Sequence, residues 1–195
     1  FNQNIVPSTL INPIQVSAGY YNTCAVDDTG VVCWGDNSRG LSTVPTTLIN
    51  PTQVSSGFAH TCAVEDTGVV CWGDDGLGQS TVPTTLINPT QVSGFYIHTC
   101  ALDDTGVVCW GYNNKGQSTV PVLVNPIQVS TGFNHTCAVD DTGVVCWGDD
   151  SSGQSTVPTT LINPTQVNIG YYNTCALDDT GVVCWGYNEN GQSTV

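Results

Sequence analysis

Thr23-Cys24-Ala25-Val26-Asp27-Asp28-Thr29-Gly30-Val31-Val32-Cys33-Trp34-Gly35 is the string that decides the fold. It returns, with only Val/Leu and Asp/Glu exchanges, beginning at Thr61, Thr99, Thr136 and Thr174. Asp27-Asp28-Thr29-Gly30 places a side-chain acceptor where a turn begins and a glycine where the chain passes through a left-handed conformation, which reads as a four-residue hairpin loop. Closing that loop sets Val26 opposite Val31, Ala25 opposite Val32 and Cys24 opposite Cys33. A disulfide across the two strands is the simplest outcome. Side chains alternate along a strand, so Cys24, Val26, Val31 and Cys33 share one face while Ala25, Val32 and Trp34 share the other. Both faces are apolar, which requires each hairpin to be covered from both sides by its neighbours.

Working outward, Trp34, Trp72, Trp110, Trp147 and Trp185 stand 38, 38, 37 and 38 residues apart. That period belongs to solenoids, propellers and linear arrays. A unit this short cannot bury a core alone, so stacking between copies is the source of stability. The chain reads as one repeat domain over 1–195, with hairpins at 23–35, 61–73, 99–111, 136–148 and 174–186. Ile14-Gln15-Val16-Ser17 reads as a further strand and Ser42-Thr43-Val44 as a fourth, with Pro45 and Asn50-Pro51 marking turns. No stretch has helical amphipathicity.

Ten cysteines fall in five equally spaced pairs: Cys24 with Cys33, Cys62 with Cys71, Cys100 with Cys109, Cys137 with Cys146, and Cys175 with Cys184. Such pairs point to an oxidising compartment, hence to a secreted or cell-surface, extracellular protein. Zinc is the weaker reading, because its cysteine knuckles are tighter and four ligands must converge. The net charge of -14, with Arg39 and Lys115 the only basic residues apart from three histidines, argues against nucleic acid and anionic membranes. No apolar run reaches the roughly 20 residues of a membrane span. The absence of methionine suits a mature or excerpted form.

His60, His98 and His135 occupy one repeat position, held by Asn22 and Asn173 in the other copies. A position shared by His and Asn reads as a structural hydrogen-bonding group, not a base or metal ligand. The acidic pairs, such as Asp27/Asp28 and Glu65/Asp66, read as turn caps; adjacent acids in a two-strand loop lack the converging ligands of a calcium site. The tryptophans could stack on sugars, but a Trp recurring at one place on a buried strand reads as core. No repeat assembles a nucleophile, base and oxyanion donor, so no catalytic, metal or cofactor residue is assigned.

Recognition is expected where the copies differ. These positions are Tyr21, Ala59, Ile97, Asn134 and Tyr172 before the hairpin, and Asp36, Asp74, Tyr112, Asp149 and Tyr187 after Trp-Gly. Asn134-His135-Thr136 is an N-glycosylation sequon, making Asn134 the candidate acceptor. Gln3-Asn4-Ile5-Val6-Pro7 matches Gln79-Ser80-Thr81-Val82-Pro83, and Gln192-Ser193-Thr194-Val195 repeats it once more, giving six such elements for five hairpins. A segment of a longer array, or a unit joining head to tail with its own copies, has this phase.

Gly57-Phe58-Ala59-His60-Thr61-Cys62-Ala63, followed by Gly68-Val69-Val70-Cys71-Trp72-Gly73-Asp74 and Gly78-Gln79, resembles the regulator of chromosome condensation repeat family. The resemblance runs through essentially the whole chain. It implies an all-β, β-propeller-like array of five short antiparallel blades, each four-stranded, as a closed ring or an open superhelix. Cysteine-bearing bacterial relatives look secreted. Members of the family act as exchange factors, as inhibitors that grip an enzyme with one face, or as recognition modules. The exchange role fits poorly, since such members have seven longer blades, an inserted wedge and basic segments. The expectation is therefore a non-catalytic extracellular structural or adhesive scaffold, a subunit or a segment of a filament, that associates head to tail. The alternative is a discrete module binding a protein or glycan ligand.

Overall fold

The computed structural model describes residues 2–195 as strands, turns and loops. Each repeat forms one antiparallel sheet of three strands in sequence order. The strands are Gln15–Ala18 (β1), Asn22–Asp27 (β2) and Gly30–Gly35 (β3), then Gln53–Ser56 (β4), His60–Glu65 (β5) and Gly68–Gly73 (β6). The third sheet is Gln91–Gly94 (β7), His98–Asp103 (β8) and Gly106–Gly111 (β9). Gln128–Thr131 (β10), His135–Asp140 (β11) and Gly143–Gly148 (β12) form the fourth, and Gln166–Ile169 (β13), Asn173–Asp178 (β14) and Gly181–Gly186 (β15) the fifth.

The hairpin register is the expected one: Cys24 pairs with Cys33, Ala25 with Val32 and Val26 with Val31. All five expected disulfides cross their hairpins, joining Cys24 to Cys33, Cys62 to Cys71, Cys100 to Cys109, Cys137 to Cys146 and Cys175 to Cys184. The two cysteines of a pair are not equally covered. Cys24, Cys62, Cys100 and Cys137 lie on central strands and are fully buried. Cys33, Cys71, Cys109, Cys146 and Cys184 are only half-buried, because each lies on the edge strand of its sheet. Cys175 is half-buried too, since its sheet is the last and no further sheet covers it.

The turn is tighter than expected, because Asp27 and Gly30 still pair and only Asp28-Thr29 form the tip. Asp27 supports that tip, its Oδ1 accepting the Thr29 N–H at 2.7 Å and the Thr29 hydroxyl at 2.6 Å. The first strand begins one residue later than expected, at Gln15.

The expected fourth strand at Ser42-Thr43-Val44 does not form. Its polar groups are already engaged: the Ser42 N–H and the Thr43 hydroxyl reach Asn37 Oδ1, and the Thr43 N–H closes a turn onto the Gly40 carbonyl at 3.1 Å. With those donors committed to side chains and turns, Ser42 and Thr43 have no N–H left for a ladder. Val44 instead lends its side chain to the core.

The core lies between sheets. The disulfide face of one sheet, with Cys24 and Val26, packs on the tryptophan face of the next, with Val54, Ala63 and Trp72. The same junction recurs with Cys62 and Val64 against Val92, Ala101 and Trp110, and with Cys100 and Leu102 against Val129, Ala138 and Trp147. Each fully buried Val or Leu contributes roughly 1.5–3 kcal/mol, so the junctions carry most of the stability. Polar groups lock the stagger: Gln15 clamps the Val54 backbone, its Nε2 donating to the carbonyl and its Oε1 accepting the N–H, both at 2.9 Å. Gln53 clamps Val92, and Gln128 clamps Val167, in the same way.

Close approach at the inner edge demands glycine. A Cβ on Gly132 would lie 2.3 Å from Ile169 Cγ2 and 2.7 Å from His135 Cε1. The first strands of successive sheets lie side by side along the array axis. The array is open: the first and fifth sheets do not close on each other, and the outer faces of both remain solvent-exposed.

Candidate functional site

Each junction contains one hydrogen-bonded chain. His98 Nε2 lies 2.9 Å from Thr136 Oγ1 in the next sheet, and that hydroxyl donates to the Gln117 carbonyl at 2.9 Å. The same carbonyl accepts the Trp147 indole N–H at 2.9 Å. His60 and Thr99, and His135 and Thr174, repeat the arrangement at 2.8 and 3.0 Å. In the first junction Asn22 Nδ2 reaches Thr61 Oγ1 at 3.1 Å. Because each threonine proton goes to a carbonyl, the residue before it must supply an N–H, which both an imidazole Nε2 and an amide can do. The three imidazoles are fully buried and their Nδ1 atoms have no protein partner. Burial pushes the pKa of His60 and His135 down to about 4 and that of His98 to about 3, His98 being further lowered by its two neighbouring histidines. These groups are neutral staples, placed where no substrate reaches them.

The acidic pairs secure the loop that enters each sheet. Asp27 Oδ2 accepts the Ile11 N–H at 2.8 Å and Asp28 Oδ2 accepts Asn12 Nδ2 at 2.7 Å, and the other repeats follow suit. The Thr29 hydroxyl, then the Ile11 N–H, hold Asp27 below the usual carboxylate range.

The two sets of varying positions are brought together, which the sequence does not reveal. In every repeat the residue after Trp-Gly donates its N–H to the carbonyl of the residue before the hairpin: Asp36 to Tyr21, Asp74 to Ala59, Tyr112 to Ile97, Asp149 to Asn134 and Tyr187 to Tyr172. They form one rim. Tyr21, Ile97, Asn134, Tyr172, Tyr112 and Tyr187 are half-buried there. Ala59 is a correction: its side chain is buried, so the second repeat offers no surface at that position. Asn134 Oδ1 accepts from Gln117 at 3.2 Å, and Lys115 pairs with Asp149 at 3.4 Å.

A second cluster is absent from the sequence expectations. The turn after the first strand of each sheet carries an aromatic residue, Tyr20, Phe58, Tyr96, Phe133 and Tyr171 in order. Consecutive rings touch, at centroid distances of 5.0, 5.1, 4.2 and 4.2 Å. In the third repeat Phe95 stands where the others have glycine, and its ring crosses the axis to Tyr171 at 6.4 Å. Tyr20, Phe58, Phe95, Tyr96 and Tyr171, with Ala18, Ser56 and Gly57, line a cavity of about 210 Å³. The signal for it was an aromatic residue at one phase of every copy, three residues before the hairpin string.

The regulator of chromosome condensation (RCC1) repeat matches residues 14–41, 52–79, 97–117, 127–154 and 165–192, one match for each sheet. The chain belongs to the RCC1 repeat family. No curated protein matches it in sequence. Among solved structures it is similar to the ectodomain of the receptor kinase CR4 from Physcomitrella patens, with a TM-score of 0.75 and 21% identity over 89% of this chain and 53% of that one. It is also similar to the CRINKLY WD40 ectodomain of the Arabidopsis thaliana receptor kinase ACR4, with a TM-score of 0.72 and 26% identity over 93% and 67%. Prp20p from Saccharomyces cerevisiae, reported with its binding properties to Gsp1p and histones, aligns with a TM-score of 0.77 and 18% identity over 91% and 57%. The chain thus spans between half and two thirds of the length of these structures. As an RCC1 array it departs from the four-stranded blade expected of the family, keeping three strands and a stapled loop.

Proposed function

We propose that this chain is a non-catalytic extracellular scaffold whose two end faces pair head to tail with further copies. One observation carries the reading: the outer faces of the first and fifth sheets are the two halves of the junction used four times inside the chain. Val16 is 65% exposed, whereas its counterparts Val54, Val92 and Val129 are each 1% exposed. On the opposite face Leu177 and Val182 are 42% and 49% exposed, whereas Leu102 and Val139 are buried. The polar parts match as well. Gln166 holds the place from which Gln15, Gln53 and Gln128 clamp the next sheet, and the Gln192 carbonyl holds the place that receives the next tryptophan. Five disulfides and the likeness to two receptor ectodomains support the extracellular setting.

Multi-angle light scattering tests this with two variants. Val16→Lys spoils one face and Leu177→Lys the other. The native chain is expected to grow in mass with concentration, and more so with salt, because each copy carries -14 charges that screening quiets. Either variant alone forms no polymer, and an equimolar mixture stops at a dimer. A native chain that keeps the mass of one copy at all concentrations contradicts the reading.

The second reading is a discrete module that grips a protein or glycan with one rim. The pairing of Tyr172 with Tyr187, rings 6.2 Å apart, favours it. A monomeric mass points here.

A further inference from the structure

The axial cavity has the walls of an aromatic cage. Tyr20, Phe58, Phe95, Tyr96 and Tyr171 come from four different repeats, and no charged side chain lines the cavity among the described residues. Ring faces carry negative quadrupole charge and attract cations within about 6 Å of the centroid. The same aromatic row already does so at its flank, where the Arg39 guanidinium sits 5.5 Å from the Phe58 centroid.

Ser56, which also lines the cavity, is only 4% exposed, and its hydroxyl has no hydrogen-bond partner. That oxygen is itself closed to solvent, so the cavity presents ring faces rather than hydrogen-bonding groups. We propose that this cavity binds a quaternary ammonium group.

Three properties select that chemistry. A charge of -14 with two basic residues draws cations toward the molecule and repels anions. Without a carboxylate in the wall, a strongly hydrated ion such as ammonium or calcium has nothing to replace its water, whereas a methylated ammonium sheds water readily onto ring faces. A sugar needs several converging hydrogen bonds, whereas this wall is built mainly of the rings of Tyr20, Phe58, Phe95, Tyr96 and Tyr171. At about 210 Å³ the space suits a head group and falls below the range of roughly 300–1,000 Å³ typical of drug-sized ligands.

The proposal uses residues on the axis and does not depend on pairing of the end faces. It is tested on the full oxidised chain by titrating choline and its neutral isostere 3,3-dimethylbutan-1-ol while following aromatic proton resonances. Choline is expected to shift the Tyr20 and Tyr171 rings and to bind about tenfold more tightly than the isostere. Tyr20→Leu and Tyr171→Leu each weaken choline several-fold, and Val122→Ala, on the exposed surface outside the cavity, leaves it unchanged. A trimethyllysine peptide that binds more tightly than choline assigns the group to a partner protein, and the reverse order assigns it to a free small molecule. Equal affinity for choline and its isostere, or no ring shift from either at about 100 mM, overturns the proposal.

Discussion

His98 Nε2 lies 2.9 Å from Thr136 Oγ1, and the proton of Thr136 is committed to the Gln117 carbonyl, so the imidazole is the donor. This explains why Asn22 can stand at the same repeat position, its Nδ2 reaching Thr61 Oγ1: what the junction requires is one N–H aimed across the gap. His98→Asn is therefore expected to keep most of the stability. His98→Leu leaves the Thr136 hydroxyl without its donor in a buried site and costs about 1–3 kcal/mol. Thermal denaturation of the two variants side by side checks this, and equal losses would contradict the donor assignment.

The same burial sets a pH dependence. Folded pKa values of about 4, 3 and 4 lie below the ordinary 6.5 for His60, His98 and His135. As pH falls below about 6.5 the unfolded chain takes up three protons that the folded chain refuses, so stability declines until the folded values are reached. At about 1.4 kcal/mol per unit, each histidine removes on the order of 3 kcal/mol by pH 4. Urea midpoints measured from pH 7 to pH 4 should fall steadily, and the triple Asn variant should show a much flatter profile over that window.

Reduction tests the contribution of the cross-links. Each disulfide joins cysteines nine residues apart. A loop of that length is worth about 2.7 kcal/mol on the chain-entropy estimate. Five together rival the roughly 5–15 kcal/mol net stability of a typical domain. Circular dichroism in a strong thiol reductant at pH 7 is expected to show the sheets lost or melting at least 20 °C lower; an unchanged melting curve would show that the junctions suffice alone.

Gly132 leaves less room for a side chain than any other described glycine. Gly132→Ala forces a methyl group against Ile169 and His135, and overpacking of this kind costs about 1–3 kcal/mol. Gly153→Ala is the control, since a Cβ there meets nothing within 4 Å but has a positive φ of 75°. Its loss should reflect backbone strain alone, about 1 kcal/mol. Denaturant midpoints separate the two effects.

The hairpin and its register were legible because every constraint is local: the turn residues, the alternation and the cysteine spacing agree within thirteen residues. The unequal cover of the cysteines was not, since Cys24 and Cys33 both sit in the apolar face of one hairpin and only the sheet order makes the strand of Cys33 the edge. The extra strand was not legible either. Ser42-Thr43-Val44 has strand composition, and only the folded chain reveals that Asn37 and Gly40 have taken its hydrogen bonds. The rim was half legible, since variation marked both sets of residues but not their pairing through backbone hydrogen bonds. The axial cavity depends on how tightly the sheets curve, which brings Phe95 to Tyr171 across 76 residues of sequence. Nothing in a single repeat encodes that distance.

The most direct test of the account is cryo electron microscopy of the native oxidised chain at low and at physiological salt. Head-to-tail pairing predicts filaments at the higher salt, with sheets stacked at the same spacing across chain boundaries as within a chain and with Leu177 seated against the Val16 face of the next copy. Isolated open arcs at every concentration and salt, each keeping Val16 and Leu177 in water, would contradict it.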